Sequence, residues 1–310
     1  MKMHAVSESF IERWRTFYGE DRTQQILNYL DRIDPRIITP NKLKTTTSSL
    51  KKRMESKGFK FEYISEFNSL VVQKEPYNIV STPEYLSGLF SIQALTSLLP
   101  SKVLDPSENS FVIDMTASPG IKTCLLAQEM SNEGTILAIE KSKNRLSALK
   151  ANVVRMGVVN TIILNFDATK VNRLKIQADH ILLDAPCSGT GLKLSKNKRL
   201  EPRLIKDITR LAKLQKNLLE SAWQGLKENG TLVYSTCSLE PEEGESLILD
   251  FLLNHEQEVF VQPLSVSAGF SGVETRWNKT KHSQLENTKR FLPNIGVDGF
   301  FLAKLQKRCS

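Results

Sequence analysis

The sequence predicts an α/β architecture: a mostly parallel sheet covered by helices on both faces, preceded by a small α+β module. Three observations predict it. From about Phe111 onward, short apolar and β-branched runs alternate with helical stretches, the rhythm of parallel strands joined by crossovers. Before that point the elements are shorter, and strands follow one another without a long helix between them. At 310 residues the chain is long enough for one large domain or two, with ample core.

From Ser7 to about Leu30, Phe10, Ile11, Trp14, Phe17 and Tyr18 recur at helical spacing, which predicts an amphipathic helix with its aromatics in a core. Arg36–Pro40 reads as a short strand or loop. Ser48–Lys57 reads as a helix closed by Gly58. Phe59–Ile64 and Ser69–Lys74 read as strands. Thr82-Pro83-Glu84 opens a helix with a hydroxyl cap and a proline in the first turn. Its apolar face would be Leu86, Leu89, Phe90, Ile92, Leu95 and Leu98. The expected organisation is a module over 1–80, a connector helix over 81–105 and a second domain over 106–310.

In that second domain seven strands are expected: Phe111–Met115, Thr135–Glu140, Thr161–Phe166, His180–Asp184, Thr231–Ser235, Phe300–Leu305 and, more weakly, Val259–Val261. Helices are expected at Lys122–Met130, Lys143–Met156, Arg203–Lys227 and Glu242–Leu253. The last strand is expected as an antiparallel edge. Residues 265–294 read as the least regular stretch.

With 42 Lys+Arg against 34 Asp+Glu the net charge is +8, which suits either a well-solvated surface or a polyanionic partner. No apolar run reaches about 18 residues, so no membrane span is expected. Met1–Val6 leads into charged residues rather than an apolar signal core, so the expected compartment is the cytoplasm. There Cys124, Cys187, Cys237 and Cys309 should be reduced thiols, and their spacing matches no zinc pattern. His4, His180, His255 and His282 share no ligand spacing, so no metal is expected, and a monomer is.

Asp114–Thr123 follows the first strand of the α/β part and precedes a helix. Its small residues let a ligand approach the backbone, and a helix N-terminus points N–H groups at it. The stretch is neither a phosphate-binding GxxxxGK[ST] loop nor GxGxxG. An ordinary tight turn is the alternative. Glu140 ends the second strand, where an acidic residue accepts hydrogen bonds from ribose hydroxyls. Asp167 and Asp184 follow the third and fourth strands. Together these carboxylates outline a pocket for an adenosine-like ligand without a pyrophosphate, which S-adenosylmethionine satisfies.

Leu183–Gly189 and Val233–Ser238 are apolar runs that stop in small and polar residues, each with a cysteine just past the stop. Strands four and five are neighbours in a doubly wound order. Asp184, Cys187 and Cys237 should therefore lie side by side, with Lys122 a local positive charge on the adjacent loop. A thiolate suits addition to an electron-poor ring carbon. Cytosine is not nucleophilic at carbon 5, and addition at carbon 6 makes it so. A carboxyl group at N3 and the exocyclic amine would stabilise the developing charge. A second thiol or a base beside the first would help expel the product. The alternative is two inert core cysteines. Cys124 reads as structural and Cys309 as a tail residue.

These motifs resemble those of the Sun/Fmu (RsmB-like) family of RNA cytosine-C5 methyltransferases. The likeness continues through Thr82–Tyr85, Gln93, Glu240–Glu245 and Asp298–Phe301 and covers nearly the whole chain. The compact form is similar to the archaeal tRNA methyltransferases of that family. The resemblance implies a Rossmann-like S-adenosylmethionine methyltransferase domain behind a small RNA-recognition-like N-terminal domain. It implies Cys237 as nucleophile, Cys187 as the thiol that helps release product, and Asp184 as the residue that holds the base. It implies a cofactor site lined by Thr116, Ala117, Ser118, Pro119, Gly120, Ile121, Lys122, Glu140, Asp167 and Asp184, with Arg145 nearby. Thr116, Ser118 and Ile121 stand where the family commonly has Cys, Ala and Gly.

The expected partner is RNA, tRNA first and rRNA second. Lys193, Lys196, Lys198 and Arg199 begin six residues after Cys187 and read as phosphate contacts, and Arg203, Lys206, Arg210, Lys213 and Lys216 as a solvated helix face. The resemblance suggests that Lys42, Lys44, Lys51, Lys52 and Arg53 also grip RNA. The rival readings are a DNA cytosine methyltransferase, with the Pro-Cys thiol attacking, and a catalytically idle RNA-binding or assembly factor.

Overall fold

A computed structural model describes residues 6–30, 32, 34–192, 204–272 and 282–309. Helices α1 (Glu8–Tyr18) and α2 (Glu20–Leu30) open the chain. A small unit follows: β1 (Ile37–Pro40), α3 (Thr47–Glu55), β2 (Lys60–Ile64) and β3 (Ser69–Lys74), then the short α4 (Pro83–Leu86) and β4 (Phe90–Ile92). Among the described residues this unit has a four-stranded antiparallel sheet in the order β2-β3-β1-β4. Thr46 caps α3 by accepting from the Ser49 N–H, and Leu50 and Met54 pack with Ile38, Phe61, Leu70 and Phe90.

After α5 (Leu99–Leu104) come β5 (Phe111–Asp114), α6 (Ile121–Glu129), β6 (Thr135–Ile139), α7 (Lys143–Met156), β7 (Thr161–Leu164), β8 (Ala178–Asp184), α8 (Leu204–Gln224), β9 (Leu226–Thr236), α9 (Glu245–Asn254), β10 (Val259–Gln262), β11 (Phe270–Ser271), β12 (Lys289–Phe291) and β13 (Phe300–Lys307). Among the described residues the large sheet has nine strands, ordered β11-β12-β13-β9-β8-β5-β6-β7, with β10 also pairing β13. The run from β7 to β9 is parallel, and β13 pairs antiparallel with β9. The chain winds from β5 out to β7 and returns to the other side of β5 at β8. The carboxyl end of β5 is thus the switch point where open α/β sheets bind ligands. Apolar residues fill both faces, Ile113, Ile181 and Tyr234 on one and Val112, Leu182 and Val233 on the other, as period-two alternation requires of a strand covered twice. Among the described residues no helix is long and apolar enough to cross a membrane.

Four expectations need correction. No single connector helix spans 81–105. Gly88 takes φ +72° and ends α4, Phe90–Ile92 joins the small sheet as β4, and Pro100 is accommodated only because a new helix starts beside it. Residues 1–80 are not one module either, because α1 and α2 pack against Ile208, Leu239 and Leu292 of the large domain. The last strand is not an edge: β12 and β10 lie beyond it. Two strands beyond the seven expected, β11 and β12, arise in the stretch read as irregular; at two and three residues they carry too little pattern to be seen. The basic loop Lys193, Lys196, Lys198 and Arg199, and Arg203 at the start of the expected helix face, lie outside the described residues.

Candidate active site

Parallel pairing of β8 with β9 sets Asp184 opposite Ser235. Cys187 lies three residues past Asp184 and Cys237 two past Ser235, so the register alone brings the thiols together. Their sulfurs stand 2.9 Å apart, as free thiols sharing a hydrogen bond, and both side chains are half-buried. Asp184 is held on both oxygens: Ser235 Oγ donates to Oδ1 at 2.7 Å and Lys122 Nζ pairs with Oδ2 at 2.8 Å. Burial works against the Lys122 charge, but Asp184, then Cys237 and Asp114, outweigh it and hold the ammonium above its ordinary value. The Cys187 thiol is raised well above its ordinary value by its bond to Cys237, by burial, and by the charges of Cys237, Glu243 and Asp184. Cys124 is a core residue of α6, and burial pushes its thiol up to about 12; Cys309 is exposed.

The loop from β5 to α6 turns at Gly120, φ +103°, where a Cβ would meet Leu149 Cδ1 at 2.8 Å. Ile121 is then the first helical residue, so it has no need of glycine's freedom, and its side chain packs toward Ile37, Val71 and Leu125. Arg145 Nη2 donates to Ser118 O at 2.7 Å and Ser118 Oγ to Arg145 O at 3.0 Å, tying the loop to α7. Thr116 Oγ1 donates to Asp184 O at 2.8 Å.

A cleft of about 450 Å³ opens along this edge. Thr116, Ser118, Glu140, Arg145, Asp167, Asp184, Cys187 and Cys237 line it. Ala117, Pro119, Gly120 and Ile121 shape the loop without forming its wall, and Lys122 meets it through Asp184. Glu140 accepts from Ser142 N at 2.7 Å and has Arg145 Nη1 at 3.7 Å. Asp167 accepts from Lys141 Nζ at 2.8 Å; burial opposes its charge, but the bonds from Lys141 and Thr169 bring its carboxyl below the ordinary value. Two carboxylates separated by apolar Ile139, Ala168, Ala185 and Pro186 suit the hydroxyls and flat ring of a nucleoside.

The segment after Cys237 is held from several directions, which the motifs did not reveal. Trp14 Nε1 donates to Glu240 Oε1 at 3.0 Å, and Arg13 pairs with Glu240 at 2.9 Å and Glu242 at 2.8 Å. Tyr18 Oη donates to Leu239 O, and Arg290, in a fully buried pair with Glu245 at 2.5 Å, donates to Ser238 O. Gly191 N donates to Cys237 O at 3.1 Å. The carboxylate of Glu243, fully buried, accepts from Ser188 N at 2.9 Å, Gln215 Nε2 at 2.9 Å, Ser238 Oγ at 2.5 Å and Ser188 Oγ. In the sequence it stood within the Glu240–Glu245 stretch that shares the family resemblance, with no role attached to it.

A mixed sheet whose strands β7 to β9 run parallel, with a nucleoside-sized cleft at its switch point, defines the class: this is the Rossmann-like fold of methyltransferases that use S-adenosylmethionine. The family described as 16S rRNA methyltransferase RsmB/F matches residues 101–306, and the chain belongs to that family. It is 38% identical over 283 residues to the human 28S rRNA (cytosine(4447)-C(5))-methyltransferase, covering 88% of this chain and 34% of the relative. It is 38% identical over 221 residues to the tRNA (cytosine(72)-C(5))-methyltransferase of Pyrococcus horikoshii, covering 71% and 53%. The crystal structure of a methyltransferase homologue from Pyrococcus horikoshii superposes with TM-score 0.86 at 36% identity, covering 97% of this chain and 95% of that one. The chain spans about a third to a half of the length of these curated relatives.

Proposed function

We propose that this chain transfers a methyl group from S-adenosylmethionine to carbon 5 of cytosine in RNA, through a covalent bond between Cys237 and carbon 6. The observation that carries this reading is the pair of thiols 2.9 Å apart beside a doubly anchored carboxylate, at the rim of a nucleoside-sized cleft. Bound in that cleft, against Thr116, Ser118, Glu140, Arg145 and Asp167, S-adenosylmethionine supplies an electrophilic methyl group. Loop residues Ala117, Pro119, Gly120 and Ile121 set the approach of the backbone to it. The Cys237 thiolate adds to carbon 6 and pushes electron density onto carbon 5. Asp184, oriented by Lys122 and Ser235, holds the base at N3 and the exocyclic amine. Once carbon 5 is methylated, loss of its proton re-forms the ring double bond and expels Cys237; Cys187 is the group within reach to accept that proton.

tRNA is the favoured substrate, in keeping with the Pyrococcus relative, and rRNA the second, in keeping with the human one. The target base leaves its stack to reach the sheet edge. Trapping on RNA that carries 5-fluorocytosine tests the thiol roles. Cys237→Ala should form no adduct. Cys187→Ala should form one and fail to release it. Loss of the adduct only in Cys187→Ala would reverse the roles, as in the DNA-type alternative. Failure of the unaltered chain to bind S-adenosylmethionine at millimolar concentration would favour an idle RNA-binding factor. Bisulfite sequencing of total RNA with and without the protein reads the target.

A further inference from the structure

We propose that Glu243 is a positioning residue for the two thiols: it staples together the loops that bear them, fixes the separation of the sulfurs and sets a carboxylate behind Cys187. The inference rests on the reading of Cys237 as nucleophile.

Two thiols 2.9 Å apart cannot both be anionic at neutral pH, because like charges at that distance repel strongly. At most one of the two is therefore anionic when the pair reacts, and its surroundings decide which sulfur ionises more readily. Those surroundings are unequal. Glu243 binds the backbone N–H and the hydroxyl of Ser188, the residue after Cys187, and the hydroxyl of Ser238, the residue after Cys237. One carboxylate thus staples the two loops together. Its four donors (Ser188 N, Ser188 Oγ, Ser238 Oγ and Gln215 Nε2) are all neutral, and Gln215 also donates to Pro186 O at 2.9 Å, directly before Cys187. Arg290 is committed to Glu245 and to Ser238 O.

Negative charge acts on Cys187 from Glu243, from Asp184 and from Cys237 itself. The positive charge of Lys122 interacts with Cys237. The carboxylate behind Cys187 disfavours its thiolate, and the ammonium of Lys122 acts on Cys237. The arrangement also resets itself. When Cys237 bonds to carbon 6 it ceases to be anionic, and the largest influence opposing Cys187 ionisation disappears. Cys187 can then give up its proton to solvent in the open cleft and, as the thiolate, accept the proton that carbon 5 loses.

The test reads each cysteine in the full chain without RNA or cofactor, so its outcome is independent of methyl transfer. The rate of iodoacetamide labelling is followed against pH, with peptides resolved by mass spectrometry. In the unaltered chain Cys237 should label at least about tenfold faster than Cys187 at pH 7, and Cys309 serves as the exposed control. Glu243→Gln keeps the shape and acceptor oxygen and removes the charge. It should move the Cys187 midpoint down by about one pH unit and bring the two rates toward equality. Glu243→Asp, which keeps the charge, should leave that midpoint near its original place. An unchanged Cys187 profile in folded Glu243→Gln overturns the proposal. Should that variant not fold, Ser188→Ala and Ser238→Ala each cut one tether: a fall in the rate ratio of at least about threefold supports the proposal, and an unchanged ratio overturns it. Loss of adduct formation in Cys187→Ala would overturn the thiol assignment beneath it, a separate result.

Discussion

Asp114, the last residue of β5, is 1% exposed and shows how an unpaired carboxyl survives at a sheet edge. Burial, with the Asp184 charge adding, pushes its carboxyl up to about 6 against the bonds from Thr123 Oγ1 and Thr116 N and the charge of Lys122. Because the folded value lies above the ordinary 3.8, the proton favours the folded state. That contribution is complete below the ordinary value and is lost as pH rises through about 6. Against Asp114→Asn, which has no such titration, the unaltered chain should therefore lose on the order of 2–3 kcal/mol between pH 4 and pH 7, read by urea unfolding at both. At this scale the grouping of Asp184, Cys187 and Cys237 at one edge was legible. Asp184, Cys187 and Cys237 each stand where an apolar run stops, and in a parallel sheet such stops gather at one edge. The tethers made by Glu243 and Gln215 were not legible, even though Glu243 lies in the Glu240–Glu245 stretch, because a residue that joins two loops leaves no period and no spacing of its own.

The docking of α1 on the segment after Cys237 is the element-scale finding with the clearest consequence. Trp14 is fully buried and its indole N–H bonds Glu240. Trp14→Ala would leave a cavity and strand a buried carboxylate oxygen, at a cost of about 3–5 kcal/mol in thermal or urea unfolding. If the proposed role of Cys237 holds, methyl transfer should fall further than the loss of folded protein accounts for, since the segment after Cys237 loses its brace. On the other side of the cleft, Gly120→Ala forces a side chain into φ +103° and onto Leu149. It should cost at least about 1–2 kcal/mol and weaken S-adenosylmethionine binding in a calorimetric titration. The helical period of Phe10, Ile11, Trp14 and Tyr18 announced the helix but not its partner, because amphipathicity says that a face is buried and never against what. The same blindness joined α4, β4 and α5 into one helix: Leu86, Phe90, Ile92 and Leu95 satisfy a helical spacing, and only Gly88 and Pro100 mark the breaks.

Across the whole molecule, a net charge of +8 and the exposed Lys206, Arg210, Lys213 and Lys216 along α8 would make binding of the proposed RNA substrate electrostatic in large part. Lys213→Ala with Lys216→Ala should weaken binding evenly across RNA sequences and lower the slope of log affinity against log salt by about one to two, measured by filter binding. The class of fold and the sheet edge that bears the thiols were readable because strand alternation and strand endings are local signals. The route by which residues 6–30 return to the large domain was not, because nothing within that segment encodes a partner more than two hundred positions away. That distance has a bearing on how the protein comes into being. Contacts between Arg13, Trp14 or Tyr18 and Leu239, Glu240 or Glu242 span 221–229 residues, so the brace on the segment after Cys237 closes a loop around most of the chain. Loop closure of that length is entropically late. Asp184 and Ser235, which β8 and β9 pair, are only 51 positions apart. A partly refolded molecule is therefore expected to hold the two cysteines near each other before α1 has docked, a delay between assembling the pair and bracing the segment that follows it.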